Sequence, residues 1–360
     1  DWPTLLEIGD YMNLDSNYKM ESWQVIQKLR SDNSRLFKES VVLGEIGTEN
    51  TVFFEGAKLA LDKLVTFGVK QVPEKTENKG VGLTWADFVT ELATPLQNRE
   101  LTGHDARDKI IEIMNKATIE QWNDWYRLIL IKDFKCGTSE KTINNVAKKA
   151  KTPQYIIPTF TCQLAHDSAN HEKKMVGKKQ IEIKLDGVRV ITIIQGDKVE
   201  MFSRNGKQFH NFGHIIAEIE AVIKDHPVPY PLVLDGEVMS ANFQDLMKQV
   251  HRKDGNQSTD AVLHLFDTIP LGCFKEGKWD KPQSFRSLIT NHWVRDHADL
   301  LEHVQALDWE DVDLDTPEGQ ERFVALNKAA VDGGYEGVMI KDVDAPYECK
   351  RTHAWLKAKP

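Results

Sequence analysis

The sequence predicts a chain in two structural halves: all-α over residues 1–150 and α+β over 181–360, with antiparallel sheets in the second half and a linker and loop region at 151–180. Three observations carry this expectation. Before about position 150, apolar residues recur at helical spacing; beyond 180, the period shortens to that of extended chain. Between them lies a stretch punctuated by Pro153 and Pro158 and crowded with charge from Asn170 to Lys179. A length of 360 residues fits two domains, at about 150 residues each.

In the first half, residues 55–67 carry Ala57, Leu59, Leu61, Leu64 and Val65 at helical spacing. Thr102 is placed to cap a helix over 106–117, with Ile110, Ile111, Ile113 and Met114 as its inward stripe. Thr118 and Gln121 form a capping-box pattern that opens a further helix carrying Trp122, Tyr126, Ile129 and Leu130. The tryptophans read as core, and residues 78–82 as a surface loop. In the second half the expected strands are 181–185, 188–195, 198–203, 232–238, 261–266, 337–341 and 355–359, interrupted by helices at 215–224 and 323–331. Short spacings among the first three strands suggest hairpins. That spacing implies an antiparallel sheet, unlike a doubly wound dinucleotide fold, and no G-x-G-x-x-G or Walker loop is present.

Composition narrows the function classes. With 41% hydrophobic and 28% charged residues, 22 Gly and 13 Pro, the chain is neither disordered, collagenous nor coiled-coil. The longest uncharged apolar runs, 190–194 and 261–266, fall far short of a membrane span of about 20 residues. No secretory signal leads the sequence, which lacks an initiator Met and stops at Lys-Pro; it reads as a piece of a longer product. The 4 cysteines, at 136, 162, 273 and 349, form no C-x-x-C pair, and the 12 histidines include no H-E-x-x-H. A reducing, intracellular compartment fits this usage. A net charge of −9 argues against a protein that coats nucleic acid. The charge is uneven, however. Lys132 to Arg189 holds 12 basic and 6 acidic residues, whereas Asp296 to Glu318 holds 9 acidic residues and no Lys or Arg. Such asymmetry suits a polyanion held at one face.

Two groups of residues carry chemistry. The first is Lys132-Asp133-Phe134-Lys135-Cys136-Gly137-Thr138-Ser139, a turn before a helix over 140–150. Gly137 permits the turn and Thr138 or Ser139 can cap the helix. Its first N–H groups, with Lys132, Lys135 and Lys141 nearby, suit a nucleic-acid phosphate. A capped surface turn would leave the same sequence.

The second group begins at Lys184-Leu185-Asp186-Gly187-Val188-Arg189, which alone reads equally well as a charged hairpin. It is followed in order by Ser203-Arg204-Asn205-Gly206-Lys207, Leu234-Asp235-Gly236-Glu237, Leu265-Phe266-Asp267, Glu336-Gly337-Val338-Met339-Ile340-Lys341 and Trp355-Leu356-Lys357-Ala358-Lys359. In a strand, Lys357 and Lys359 project to one face, where an anion between them offsets their repulsion. Asp186 and Asp235 read as turn-shaping residues.

This series resembles the nucleotidyltransferase motifs of the ATP-dependent DNA ligases over 181–359, and looks most like the phage or viral, T4-like members. The pattern at 127–146 is similar to the end of that family's all-helical DNA-binding domain. The resemblance implies a helical DNA-binding domain at 1–150, a nucleotidyltransferase (adenylation) domain at 181–360, and an OB-fold after it that this chain does not contain. It implies sealing of 5′-phosphate/3′-hydroxyl nicks in duplex DNA, in repair, replication and recombination, through a lysyl-AMP and a DNA-adenylate. Lys184 would accept AMP from ATP. Its amine would be made reactive by neighbouring cations, Lys357, Lys359 and a bound Mg²⁺ or Mn²⁺. Glu182 would lie near the adenine, Phe266 would stack on it, and Arg189 and Arg204 would grip ribose or the nick phosphate. Glu237 would bind ribose or metal, Glu336 metal, and Lys341, Lys357 and Lys359 the AMP phosphate. Lys132, Lys135, Gly137, Thr138, Ser139 and Lys141 would touch DNA. The expected protein is intracellular (in a host cytoplasm if phage-encoded), monomeric and without membrane contact. Two other readings use the same motifs: another covalent nucleotidyltransferase of the RNA-ligase or capping type, and a nick-binding protein without catalysis.

Overall fold

Helical spacing becomes helix over most of the described part of the first unit, Asp1–Thr159; the second unit is Phe160–Pro360. The structure, a computed structural model, describes residues 19–241, 248, 250 and 257–358. The first unit holds α1 (Ser22–Arg30), α2 (Arg35–Gly47), α3 (Thr51–Leu61), α4 (85–97), α5 (Gly103–Lys116), α6 (119–130) and α7 (Glu140–Lys149). The Thr118 box forms as its sequence requires: Thr118 Oγ1 accepts the Gln121 N–H at 3.2 Å and Gln121 Oε1 accepts the Thr118 N–H at 3.0 Å. Within α4 and α6, Val89–Ala93 and Trp122–Tyr126 wind as π turns, the second of which carries Trp122, Trp125 and Tyr126. Trp122 and Trp125 are buried; Trp125 stacks on Phe53 and Phe134, so these rings are core.

The helix expected at 55–67 instead ends at Leu61. Asp62 turns the chain extended and accepts the Leu64 N–H through its own carboxylate. The buried Lys132 amine then donates to the carbonyls of Leu59 (2.7 Å) and Asp62 (2.5 Å), closing the helix end. The region expected as linker is likewise structured and divided. Pro153–Tyr155 completes the first unit, where the Asn144 side chain clamps both the N–H (2.7 Å) and carbonyl (3.0 Å) of Ile157. Leu164–Asp167 is already a strand of the second unit.

The second unit is built on two main sheets. The five-stranded sheet has the order β1-β13-β11-β2-β10, from β1 (Leu164–Asp167), β2 (Lys178–Ile183), β10 (Glu310–Asp313), β11 (Val338–Asp342) and β13 (Arg351–Lys357). The six-stranded sheet has the order β5-β4-β3-β6-β7-β9, from β3 (Val188–Gln195), β4 (Lys198–Phe202), β5 (Gln208–Phe209), β6 (Leu232–Met239), β7 (Val262–Pro270) and β9 (Val304–Ala306). β8 (Lys278–Trp279) pairs with β12 (Tyr347–Glu348). Described helices are α8 (Gly213–Asp225), α9 (Leu271–Glu276), α10 (Gln283–Asp296) and α11 (Pro317–Asp332). Alternating apolar residues bury Val190, Ile194, Leu234, Leu263 and Leu265 against α8 residues Ile215 and Ile219. Most pairings are antiparallel, but β1 runs parallel to β13 and β7 to β9. The first expected hairpin does not exist: β2 and β3 belong to different sheets, and residues 184–187 cross between them. The acidic stretch contains two short strands, β9 and β10.

Burial holds the Lys132 ammonium at about 7, against an ordinary 10.5. Between those values the unfolded chain binds more protons than the native one, so stability gained at this residue rises with pH across that window and is flat below it. In Lys132→Met the unfolding free energy, measured in denaturant from pH 6 to 10, is expected to rise less steeply than in the native sequence. Equal slopes would contradict the assignment.

Candidate active site

Strand register places the catalytic candidates. β11 runs antiparallel to β2 with Val338 opposite Ile183 and Met339 opposite Glu182. One step on, the Lys184 N–H donates to the Gly337 carbonyl at 3.0 Å. That ladder sets Glu336 beside Lys184, and Nζ meets Glu336 Oε2 at 2.6 Å. On the other flank β13 pairs with β11, Met339 opposite Lys357 and Lys341 opposite Trp355. Side chains alternate along each strand. Glu182, Met339, Lys341, Trp355 and Lys357 therefore share one face, and all five line a cleft that opens to solvent.

The opposite wall comes from the six-stranded sheet. Arg189 on β3 lies opposite Glu237 on β6, and Phe266 reaches in from β7. Gly187 passes so close to β6 that a Cβ there would sit 2.2 Å from the Val238 carbonyl oxygen. Its N–H donates to Glu237 Oε2 at 3.0 Å. The glycine of the K-x-D-G string is thus required by close approach between strands. Burial raises the Glu237 carboxyl, and the Gly187 N–H works against that shift.

Beneath the cleft, acids, bases and rings interleave. Arg189 grips Asp235 with two bonds of 2.6 Å and donates to the Gln163 carbonyl at 2.9 Å, while the Tyr347 hydroxyl donates to Asp235 at 2.7 Å. Arg286 grips Asp267, and Gln283 Oε1 accepts from both Arg286 (2.8 Å) and the Trp355 indole (2.8 Å). Lys341 Nζ lies 2.5 Å from Glu182 Oε1 and about equally far from the Phe266 and Trp355 rings, at 4.2 and 4.3 Å. Burial pushes the Glu182 carboxyl up, opposed by Lys341.

The structure brings Lys184, Glu182, Arg189, Arg204, Glu237, Phe266, Lys341 and Lys357 to one cleft, with Glu336 on the lysine. Lys359 lies outside the described residues. Several expectations need correcting. Asp235 is fully buried in an ion pair and shapes no turn. The Arg189 guanidinium is committed to Asp235, and the Lys341 amine, only 1% exposed, to Glu182. Both face the cleft with their charge already paired. Arg204, by contrast, stands exposed in the 203–207 turn, where Ser203 Oγ accepts the Lys207 N–H. Sequence reading gave no role to Trp355, though its place two residues before Lys357 on a strand was the available signal. Leu164, Ala165 and Arg351 also line the cleft and were hidden in the supposed linker or at a strand start.

In the first unit, Lys135 (φ 49°) and Gly137 (φ 69°) bend the turn before α7. The buried Lys38 amine donates to the Cys136 carbonyl beneath it. Thr138 Oγ1 is buried with no partner, and Ser139 stands at the N-cap without a side-chain cap bond. Lys135, Ser139 and Lys141 are exposed. Lys132 does not join them, because its amine is spent on the end of α3.

Residues 161–359, more than half of the chain, match the family described as ATP dependent DNA ligase domain. The solved structure named Pmar-Lig_PreS3 is 64% identical over 95% of this chain and 78% of its own, with a TM-score of 0.60. The DNA ligase of Halobacterium salinarum is 29% identical over 194 residues, 50% of this chain and 32% of the relative. That of Methanopyrus kandleri is 29% identical over 221 residues, 58% of this chain and 37% of the relative. The aligned part spans about a third of the length of these curated relatives.

Removing one partner of a buried ion pair strands the other, at about 3–5 kcal/mol. Arg189→Met leaves Asp235 with Tyr347 alone, and denaturant unfolding of the full chain should show a loss of that size. The double change Arg189→Met with Asp235→Leu should recover much of it; a single variant as stable as the native sequence would refute the reading.

Proposed function

Because the chain belongs to the family of ATP-dependent DNA ligase domains, we propose that it seals 5′-phosphate/3′-hydroxyl nicks in duplex DNA at the expense of ATP. The observation that carries this reading is Lys184, held where the two sheets meet, with its amine in a solvent-open cleft walled by charge and aromatic rings. Phe266 and Trp355 offer flat apolar surface to a base, and Arg204 and Lys357 positive charge to phosphates. Lys341 acts by holding Glu182 in place at the cleft wall.

In the first step the Lys184 amine attacks the α-phosphorus of ATP. An N–P bond forms, the P–O bond to the β-phosphate breaks, and pyrophosphate leaves with the electron pair. Glu336 Oε2, at 2.6 Å, is the acceptor placed for the Nζ proton. A 5′-phosphate oxygen of the nick then displaces Lys184 from AMP, giving the DNA-adenylate; attack by the 3′-hydroxyl expels AMP and closes the strand. Glu237 and Glu336 offer the hard carboxylate oxygens that Mg²⁺ or Mn²⁺ takes, and such an ion, when bound, neutralises charge on the phosphates in transit.

The first unit would supply the hold on DNA. Around the turn before α7, a buried amine, an unpartnered buried hydroxyl and uncapped helix N–H groups are gathered beside exposed Lys135 and Lys141. That set suits backbone phosphate, which carries no sequence information.

Two measurements test this. Incubated with ATP and Mg²⁺, the chain should gain about 329 Da, one AMP on lysine, and Lys184→Ala should gain nothing. Adduct formation with GTP alone, or on the Lys184→Ala chain, would overturn the proposal. For DNA, Lys135→Ala and Lys141→Ala should each weaken binding to nicked duplexes evenly across sequences and cut the log–log salt slope by about 1. A loss confined to one sequence would oppose a phosphate contact.

A further inference from the structure

Three histidines stand together away from the lysine. His166 lies on β1, His171 between the short 3₁₀ turns Ser168–Asn170 and Glu172–Lys174, and His353 on β13. One ring nitrogen of each lies within 4.8 Å of the others. His353 Nε2 and His171 Nδ1 are 3.1 Å apart, and the His166 and His353 rings stack with centroids at 4.3 Å and planes inclined by 15°.

The arrangement has a backbone cause. β1 pairs with β13 as Ala165 opposite Thr352, yet the next residue, His166, pairs with Leu356. Residues 353–355 therefore bulge out of the ladder, and His353 is carried toward His166 and His171. A tetrahedral zinc ion with Zn–N bonds of about 2.0–2.1 Å holds its ligand nitrogens about 3.3 Å apart. The 171–353 pair, at 3.1 Å, is close to that spacing, and the His166 nitrogen lies within 4.8 Å of both.

We propose that His166, His171 and His353 form a binding site for a divalent transition-metal cation of the zinc class, with water completing the coordination. Imidazole nitrogen selects such ions over Mg²⁺, which takes oxygen, so the site is chemically separate from Glu237 and Glu336. Its effect is mechanical. The ion pins β1, which lines the cleft with Leu164 and Ala165, to the bulge that ends at Trp355, two residues before Lys357. The Asp167 and Glu172 carboxylates, each adjacent in sequence to a ligand, offset part of the added charge.

The test uses the full chain, stripped with chelator and titrated with Zn²⁺ and with Co²⁺ in the presence of excess Mg²⁺. Calorimetry should give one ion per chain, Co²⁺ should develop the intense visible bands of a four-coordinate complex, and the melting temperature should rise. His171→Ala and, separately, His353→Gln should keep the metal-free melting temperature and lose at least about 10-fold in metal affinity. Zn²⁺ binding unchanged by both substitutions, or no saturable one-to-one binding to the native chain, would overturn the proposal. If one variant alone is misfolded, the other decides.

Discussion

Asp235 and Asp267 face each other across β6 and β7, both wholly buried, and the rest of the site depends on how that conflict is resolved. Two carboxylates in register on adjacent strands repel, and in a low-dielectric interior the repulsion is severe. Each is matched by its own guanidinium, Arg189 for Asp235 and Arg286 for Asp267. A third acid, Glu182, is matched by Lys341. Three negative and three positive groups thus balance, and the rings of Phe266, Trp355 and Tyr347 fill the spaces between cations. The network stabilises the fold only while complete, since each buried charge is costly without its partner. Its value lies in position: through Gln283, the Asp267–Arg286 pair fixes the indole of Trp355 in the cleft wall.

On that rigid base the reactive groups are set by register. Lys184 follows the last residue of β2 and Glu336 stands two residues before β11, so neither lies within a strand. The bond from the Lys184 N–H to the Gly337 carbonyl extends the ladder one step and fixes their approach. A shift of one residue would send Glu182, Met339 and Lys341 to the opposite face and dismantle the cleft wall. The β-ladder, rather than a loop, therefore orients Lys184, the proposed nucleophile.

What the sequence made legible followed from local pattern. β3, β4, β6, β7 and β11 are runs of alternating or β-branched residues and fall close to their expected bounds. β1 (Leu-Ala-His-Asp), β9 and β10 are only three or four residues long, too short for a period to show, although β9 and β10 each bury a valine, Val304 and Val312. The members of the cleft were legible from motif order, but their partners were not. Asp235 beside a glycine looks like a turn residue, and the arginine that neutralises it is 46 positions away. Lys132 looked like a phosphate contact for the same reason: the carbonyls it holds, at 59 and 62, are invisible from its neighbours in sequence.

The crossing at 184–187 also constrains how this chain can vary in length. Its first residue is bonded to one sheet through Gly337, and its last to the other through Glu237. An inserted residue would have to break one of those anchors or force Gly187 away from Val238, whereas the turn at 196–197, between the antiparallel partners β3 and β4, has Gly196 in open space. Related sequences should accordingly accumulate insertions and deletions at such turns and keep one fixed residue count between β2 and β3.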